Sequence, residues 1–327
     1  MVEKEYFIVD THTAGEPTRV VTNFPPVHGA TMADIKKEMQ TNHDWFRQFL
    51  LREPRGHTDM FGAILFPPVR KNCDIGVIFM DNGGYLDMCG HGIIGLVTCI
   101  VQIGLIEPKA EILIDTPTGA IATRIDYHNN RVRSVSFQNV PAFKVRTTRV
   151  DIVGRLTPVD IAFGGNFFAH VYASSLGITL EPSSKGVIID LALKIRREVN
   201  AREKVAHPQQ PQINKVELVE FSAPPKSEGA DARNVVVFGQ GQIDRSPCGT
   251  GTCAKMALLH SEGKLKIGET FVHEGILQTK FTGRLLRETK VGDYHAVLPE
   301  ITGSAYITGR SRLVYDDKDP LIQGFLL

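Results

Sequence analysis

The chain has 327 residues, 42% hydrophobic and 22% charged, with a formal net charge of +1; this is material for two domains on the usual scale of about 100–200 residues each, and the composition of an ordinary globular protein. Near-neutral charge, with no basic tract and no zinc-finger spacing, argues against a nucleic-acid partner and against an acidic membrane surface. The start, Met1-Val2-Glu3-Lys4-Glu5-Tyr6, has no basic region followed by an apolar core, and the longest apolar stretch, residues 92–106, is broken by Thr98 and Gln102 and too short to span a bilayer. The expectation is a cytoplasmic protein with no membrane partner. Five cysteines, Cys73, Cys89, Cys99, Cys248 and Cys253, are odd in number and lack framework spacing, as expected of free thiols in a reducing compartment.

In chain order, Tyr6-Phe7-Ile8-Val9 reads as a strand, followed by a polar turn over residues 11–17 and a β-rich Arg19-Val20-Val21-Thr22. Ile35, Met39, Trp45, Phe46, Phe49 and Leu50 recur at steps of about 3–4 residues and predict one helix over 32–51. Residues 63–66 and 75–80 are apolar runs of strand length, and short alternating strands follow Gly104. Pro141 and the alternating residues 145–150 mark a crossing into a second half. That half repeats the order: strands near 160–163 and 170–172, a helix near 187–200, strands at 216–221 and 234–238, and then a second Cys-Gly segment.

The two Cys-Gly segments are the most informative feature. Cys89-Gly90-His91-Gly92 and Cys248-Gly249-Thr250-Gly251 align, and the register carries Gly104 onto Gly263 fifteen residues on. Each reads as a thiol, a glycine turn, a helix of about three to four turns and a terminating glycine. A thiol at a helix start is expected to have a lowered pKa, and the free N–H groups there bind anions such as a carboxylate. Two such units suit one small anionic substrate and the transfer of a proton from one face of a carbon to the other. The repeat separation of 159 residues is too long for a solenoid.

A free cysteine is ordinarily a small buried hydrophobe, and that reading holds for Cys73, Cys99 and Cys253. The repeated flanks favour a catalytic reading for Cys89 and Cys248. No C-x-x-C or H-E-x-x-H pattern points to a metal, and Gly249–Lys255 lacks phosphate-loop spacing. His91 is either a helix-start residue or a tuner of the adjacent thiol; Asp244 is either a cap or a carboxylate for a substrate ammonium, and position alone leaves both open. Phe61 and Phe238 read as plain core.

The chain resembles the proline racemase family. The resemblance rests on residues 10–19, on 53–57 with Asp59-Met60-Phe61-Gly62, on 83–92 around Cys89, on 163–169, on 244–252 around Cys248, and on 301–309. It covers essentially the whole chain in order. It implies an α+β, diaminopimelate-epimerase-like fold of two pseudo-symmetric halves, each a mostly antiparallel sheet wrapped around a central helix, with the site between them. The implied division is 1–145 plus a returning 297–327, and 146–296. It implies no pyridoxal phosphate, no metal and no other cofactor, a small amino acid (proline or hydroxyproline) as the partner, and a homodimer.

By the same resemblance Cys89 and Cys248 are the two bases, His91 and Asp244 lie at the ring nitrogen, and the N–H groups of Gly90, Gly249 and Thr250 hold the carboxylate. Phe61 and Phe238 match phenylalanines that close an apolar pocket in proline racemases. The related trans-3-hydroxyproline dehydratases carry Thr where Cys248 stands. The expected activity is cofactor-independent racemisation of L-proline to D-proline; the alternative is a 4-hydroxyproline 2-epimerase. A dehydratase, a non-catalytic amino-acid binding protein and a cysteine-nucleophile hydrolase are further readings.

Overall fold

The computed structural model describes residues 4–327 and divides into two compact units, one running through Phe137 and resuming at Gly303, the other spanning Gln138–Thr302. The first holds β1 (Lys4–Thr13), β2 (Glu16–Val21), α1 (Met32–Asn42), α2 (Asp44–Leu51), β3 (Gly62–Phe66), β4 (Ile75–Asp81), β5 (Gly84–Leu86), α3 (Gly90–Gln102), β6 (Glu111–Thr116), β7 (Gly119–His128) and β8 (Arg131–Gln138). The second holds β9 (Ala142–Ile152), β10 (Arg155–Phe163), β11 (Phe167–Tyr172), α4 (Ala173–Leu176), α5 (Lys185–Arg202), β12 (Val216–Ala223), β13 (Ala232–Phe238), β14 (Gln242–Asp244), α6 (Gly249–Ser261), β15 (Thr270–Glu274), β16 (Lys280–Val291) and β17 (Tyr294–Gly303). The chain then returns to the first unit as β18 (Ala305–Tyr315). The class is α+β and sheet-dominated. No helix among the described residues is long and apolar enough to cross a membrane.

Residues 138–145 and 297–302 belong to the second unit, not the first as the sequence suggested. The reason is pairing: β9 lies antiparallel to β10 from Phe143 onward, and β17 stays on β16 as far as Thr302.

Both units have the same strand order. In the first, β18, β1, β2, β3, β4, β6, β7 and β8 are successive neighbours, with β2–β3 and β4–β6 parallel and the rest antiparallel. In the second, β9, β10, β11, β12, β13, β15, β16 and β17 follow the same pattern, with β11–β12 and β13–β15 parallel. There β17 also pairs with β9, which closes the sheet into a barrel. Parallel neighbours need a crossover, and helices supply it: α1 and α2 or α5 for the first crossover, α3 or α6 for the second.

The central strands β3 and β4 are buried on both faces. In the first unit Ile64, Phe66, Ile78 and Met80 pack with Met39, Phe46 and Phe49 of α1 and α2, while Phe79 on the opposite face reaches Gly92 of α3. Two buried faces explain why β3 and β4 read as unbroken apolar runs. The single helix expected over 32–51 is two. His43 leaves helical geometry at φ −130°, ψ 15°, and Asp44 opens α2 with its carboxylate on Arg47 and Gln48. The turn lets Met39 and Phe46 reach one core.

The central helices are close copies. Each has 13 residues and a cysteine at its N-cap. Each ends in a Schellman motif on a left-handed glycine: Gly104 at φ 74° with Leu105 N–H on the Ile100 carbonyl, and Gly263 at φ 70° with Lys264 N–H on the Leu259 carbonyl. In α3 every residue except Gln102 is buried, so its Ile, Leu and Val side chains each contribute about 1.5–3 kcal/mol.

Candidate active site

In the first unit, β5 ends at Leu86 and the chain reaches Cys89 in extended geometry, φ −148°, ψ 126°. The first helical bond is Ile93 N–H to the Cys89 carbonyl, so the helix itself supplies no acceptor for the N–H groups of Gly90, His91 and Gly92. Cys89 is partly exposed. Its sulfur lies 3.1 Å from His91 Nδ1 and 3.9 Å from Nε2. The His91 ring is buried edge-on to Phe61 at 4.4 Å, and its backbone carbonyl accepts from Thr13 Oγ1 at 2.9 Å.

Burial lowers the His91 pKa to about 3, against a hydrogen bond to the backbone of Pro17. His91 is therefore neutral at pH 7. A neutral imidazole carries one N–H and one acceptor nitrogen. Phe61 is 4% exposed and also contacts Phe79. Gly92 makes this packing possible, since a Cβ there would lie 2.7 Å from Phe79 and 3.0 Å from Phe61.

In the second unit Cys248 sits at φ 61°, ψ 110°, a strained backbone position for a residue with a Cβ, costing of the order of 1–3 kcal/mol. It is held by a bond from its own N–H to Ser246 Oγ at 3.1 Å, and its sulfur accepts from Gly251 N–H at 3.4 Å. Ser246 also donates twice to Asp244 Oδ1, from N–H at 2.8 Å and Oγ at 2.7 Å. Thr250 Oγ1 lies 3.7 Å from the sulfur. Two glycines admit the helix start: a Cβ at Gly164 would lie 2.2 Å from the Thr250 carbonyl oxygen, and one at Gly165 2.9 Å from Thr250 Cγ2. Val236 packs with Cys248, and Phe238, two residues on in β13, shares that face.

The expected lowering of the thiol pKa fails at Cys248. Burial pushes it well above its ordinary value, and the carboxylates of Asp244 and Glu220 push the same way, outweighing Gly251 N–H and Thr250. Desolvation wins because the residue is 6% exposed. Burial likewise raises Asp244 to about 6, against hydrogen bonds from Ser246 and Cys248. The other three cysteines are buried, with Cys99 and Cys253 each pushed up to about 12 by burial.

Each unit thus collects its own set: Cys89, His91, Gly90 and Phe61 in one; Cys248, Asp244, Gly249, Thr250 and Phe238 in the other. Sequence reasoning missed Ser246, Glu220, His170 and His273. A signal for Glu220 existed, a charged residue within the apolar run 218–221. Among the described residues no group of three or more His, Cys, Asp or Glu side chains could hold a metal ion.

The family model described as Proline racemase matches residues 8–326. The chain belongs to the proline racemase family. It is 48% identical to a proline racemase of Acetoanaerobium sticklandii, over 97% of each chain. It is 46% identical to a proline racemase of Clostridioides difficile, over 98% of this chain and 97% of that one. Among solved structures it is similar to a hydroxyproline epimerase from Agrobacterium vitis with bound trans-4-hydroxy-L-proline, with a TM-score of 0.89 and 30% identity over 100% of this chain and 96% of the other. As a member of the proline racemase family the protein is an enzyme, an isomerase of the racemase and epimerase type.

Proposed function

We propose that the protein racemises free proline, with Cys89 and Cys248 as the two bases acting on opposite faces of Cα. The observation that carries this is the repetition: two units of one strand order, each with a cysteine capping a central helix of the same length. The same reading takes each unit as a diaminopimelate-epimerase-like half.

One cysteine removes the Cα proton as thiolate, and the other delivers a proton as thiol; the roles exchange with the hand of the substrate. General acid–base steps of this kind contribute about 10²–10⁴-fold. The remainder comes from fixed donors. The N–H groups at the two helix starts receive the carboxylate, and Asp244 receives the ring ammonium. The raised pKa of Cys248 fits this order of events: a cation arriving at Asp244 offsets one of the negative charges that disfavour its thiolate. At neutral pH His91 is uncharged, so it is not the imidazolium of a thiolate–imidazolium nucleophile, which counts against a hydrolase.

Proline is favoured over hydroxyproline because Phe61 presents an apolar ring beside His91. Such a wall rejects an added hydroxyl by about 10²-fold at most, so a 4-hydroxyproline 2-epimerase activity accompanies it. Cys248, where the resembling dehydratases carry Thr, counts against dehydration. The test is polarimetry of purified protein with L-proline, trans-4-hydroxy-L-proline and trans-3-hydroxy-L-proline. In deuterium oxide, L-proline should gain deuterium at Cα as D-proline forms. Calorimetric binding of proline without loss of optical rotation would overturn the proposal.

A further inference from the structure

Behind the Cys248 helix start lies a buried charged cluster that the proposed chemistry does not use. Glu220 is fully buried on β12. Alternation along the strand sends Val219 and Phe221 into the core shared with α5, and Glu220 to the opposite face, toward α6. A Cβ at Gly251 would lie 2.6 Å from Glu220 Oε2 and 3.2 Å from Cys248 Sγ. The carboxylate and the sulfur are therefore no farther apart than the sum of those distances, with only a glycine between them.

Groups from three elements act on the Glu220 carboxyl. His170 Nδ1 on β11 lies 3.3 Å from Oε1, and His273 Nε2 on β15 lies 3.9 Å from it. Lys255 of α6 also acts on it. Together they hold the carboxyl below its ordinary range although burial works against it. His273 is fixed in turn, its Nδ1 3.0 Å from Thr252 Oγ1; burial lowers its pKa to about 4. Around the sulfur itself stand Asp244 from β14, Glu220 from β12, and Thr250 and the Gly251 N–H from α6.

We propose that Glu220 is a positioning residue for the proton of Cys248: its carboxylate, seated directly behind Gly251, disfavours the thiolate and keeps this cysteine as the proton-carrying partner until substrate arrives. The consequence for turnover rests on the racemase reading; the titration does not. A side chain at Gly251 would have to displace the carboxylate. The two cysteines thus stand in different surroundings, Cys89 beside the neutral imidazole of His91 and Cys248 beside the carboxylates of Asp244 and Glu220.

The test is the pH dependence of modification by methyl methanethiosulfonate in the substrate-free full-length protein. Cys248 and Cys89 are followed separately by peptide mass in wild type, Glu220→Gln and Glu220→Asp. For Glu220→Gln the Cys248 midpoint should fall by about one pH unit, as expected for one partly compensated charge at this range, while Cys89 stays put. Glu220→Asp keeps the charge but withdraws it by a methylene and should give a smaller shift of the same sign; it serves if the glutamine variant does not fold. An unchanged Cys248 midpoint in either folded variant overturns the proposal, as does an equal shift of both thiols. A protein that shows the shift yet leaves proline optically unchanged would sink the racemase reading and leave the role of Glu220 standing.

Discussion

His91 Nδ1 lies 3.1 Å from the sulfur of Cys89, and the ring that carries it is neutral because burial outweighs the hydrogen bond to the backbone of Pro17, which favours the charged form. The imidazole is thus a neutral hydrogen-bonding partner for the Cys89 sulfur and a fixed wall for Phe61, two roles that substitution can separate. His91→Phe keeps an aromatic ring against Phe61 and removes the hydrogen-bonding partner. It should lower kcat/KM for proline by about 10²-fold. A steady-state rate near wild type would mean that the imidazole serves only as packing.

Cys89→Ser and Cys248→Ser should each reduce racemisation by about 10³-fold or more, since an alcohol is a far weaker acid than a thiol. Both variants should fold, because the change is nearly isosteric. Near-native turnover in either, followed by polarimetry, would remove that residue from the list of bases.

Phe61→Ser opens the apolar wall beside His91. The ratio of kcat/KM for trans-4-hydroxy-L-proline to that for proline should rise, by up to about 10²-fold. Competition between the two substrates measures it directly. An unchanged ratio would place the discriminating wall elsewhere.

Stability should fall as the medium is acidified below about pH 6.5. His91 and His273 have folded pKa values of about 3 and about 4, below the ordinary value, so the unfolded chain binds more protons. Each contributes stability that is complete above pH 6.5 and is lost as pH falls toward its folded value, at roughly 1.4 kcal/mol per pH unit. Asp244, raised to about 6, has the opposite sign: its contribution is present below about pH 4 and lost as pH rises through 6. It therefore offsets one histidine between those limits. Urea melts at pH 7 and pH 5 should show a lower midpoint at pH 5, and His91→Asn should reduce the difference. Equal midpoints for wild type would contradict the buried neutral histidines.

Gly95 of α3 faces three buried threonines: a Cβ there would lie 2.9 Å from Thr11 Oγ1, 3.0 Å from Thr13 Oγ1 and 3.4 Å from Thr18 Oγ1. Gly95→Ala should destabilise the protein by about 1–2 kcal/mol, overpacking outweighing the helix-propensity gain of about 1 kcal/mol. Chemical denaturation showing equal or greater stability would mean that β1 and β2 yield more easily than their burial indicates.

Much of the fold was legible in the chain because local signals agreed. The terminating glycines Gly104 and Gly263 closed both central helices where their spacing suggested. The apolar runs at 63–66 and 75–80 became doubly buried strands. The polar turn expected over 11–17 shrank to Ala14 and Gly15, both at positive φ, because Thr11 and Thr13 turn their hydroxyls inward and let the strand continue. The break at His43 could not be read from the apolar periodicity, which runs on through it, and residues 142–152 pair not only with the neighbouring β10 but also with β17, which is distant in sequence.

By itself the sequence determined the repeated unit, its two cysteines and the helices they open, because caps, glycine turns and apolar periodicity act over a few residues. What only the tertiary structure decided is the ionisation of those groups. A helix start favours a thiolate, but Cys248 is buried against Asp244 and Glu220, and removal from water costs more than one N–H returns. The neutral state of His91 and the seat of Glu220 behind Gly251 follow the same rule: charge depends on what surrounds a group in space, and the strands that surround these are far from them in the chain.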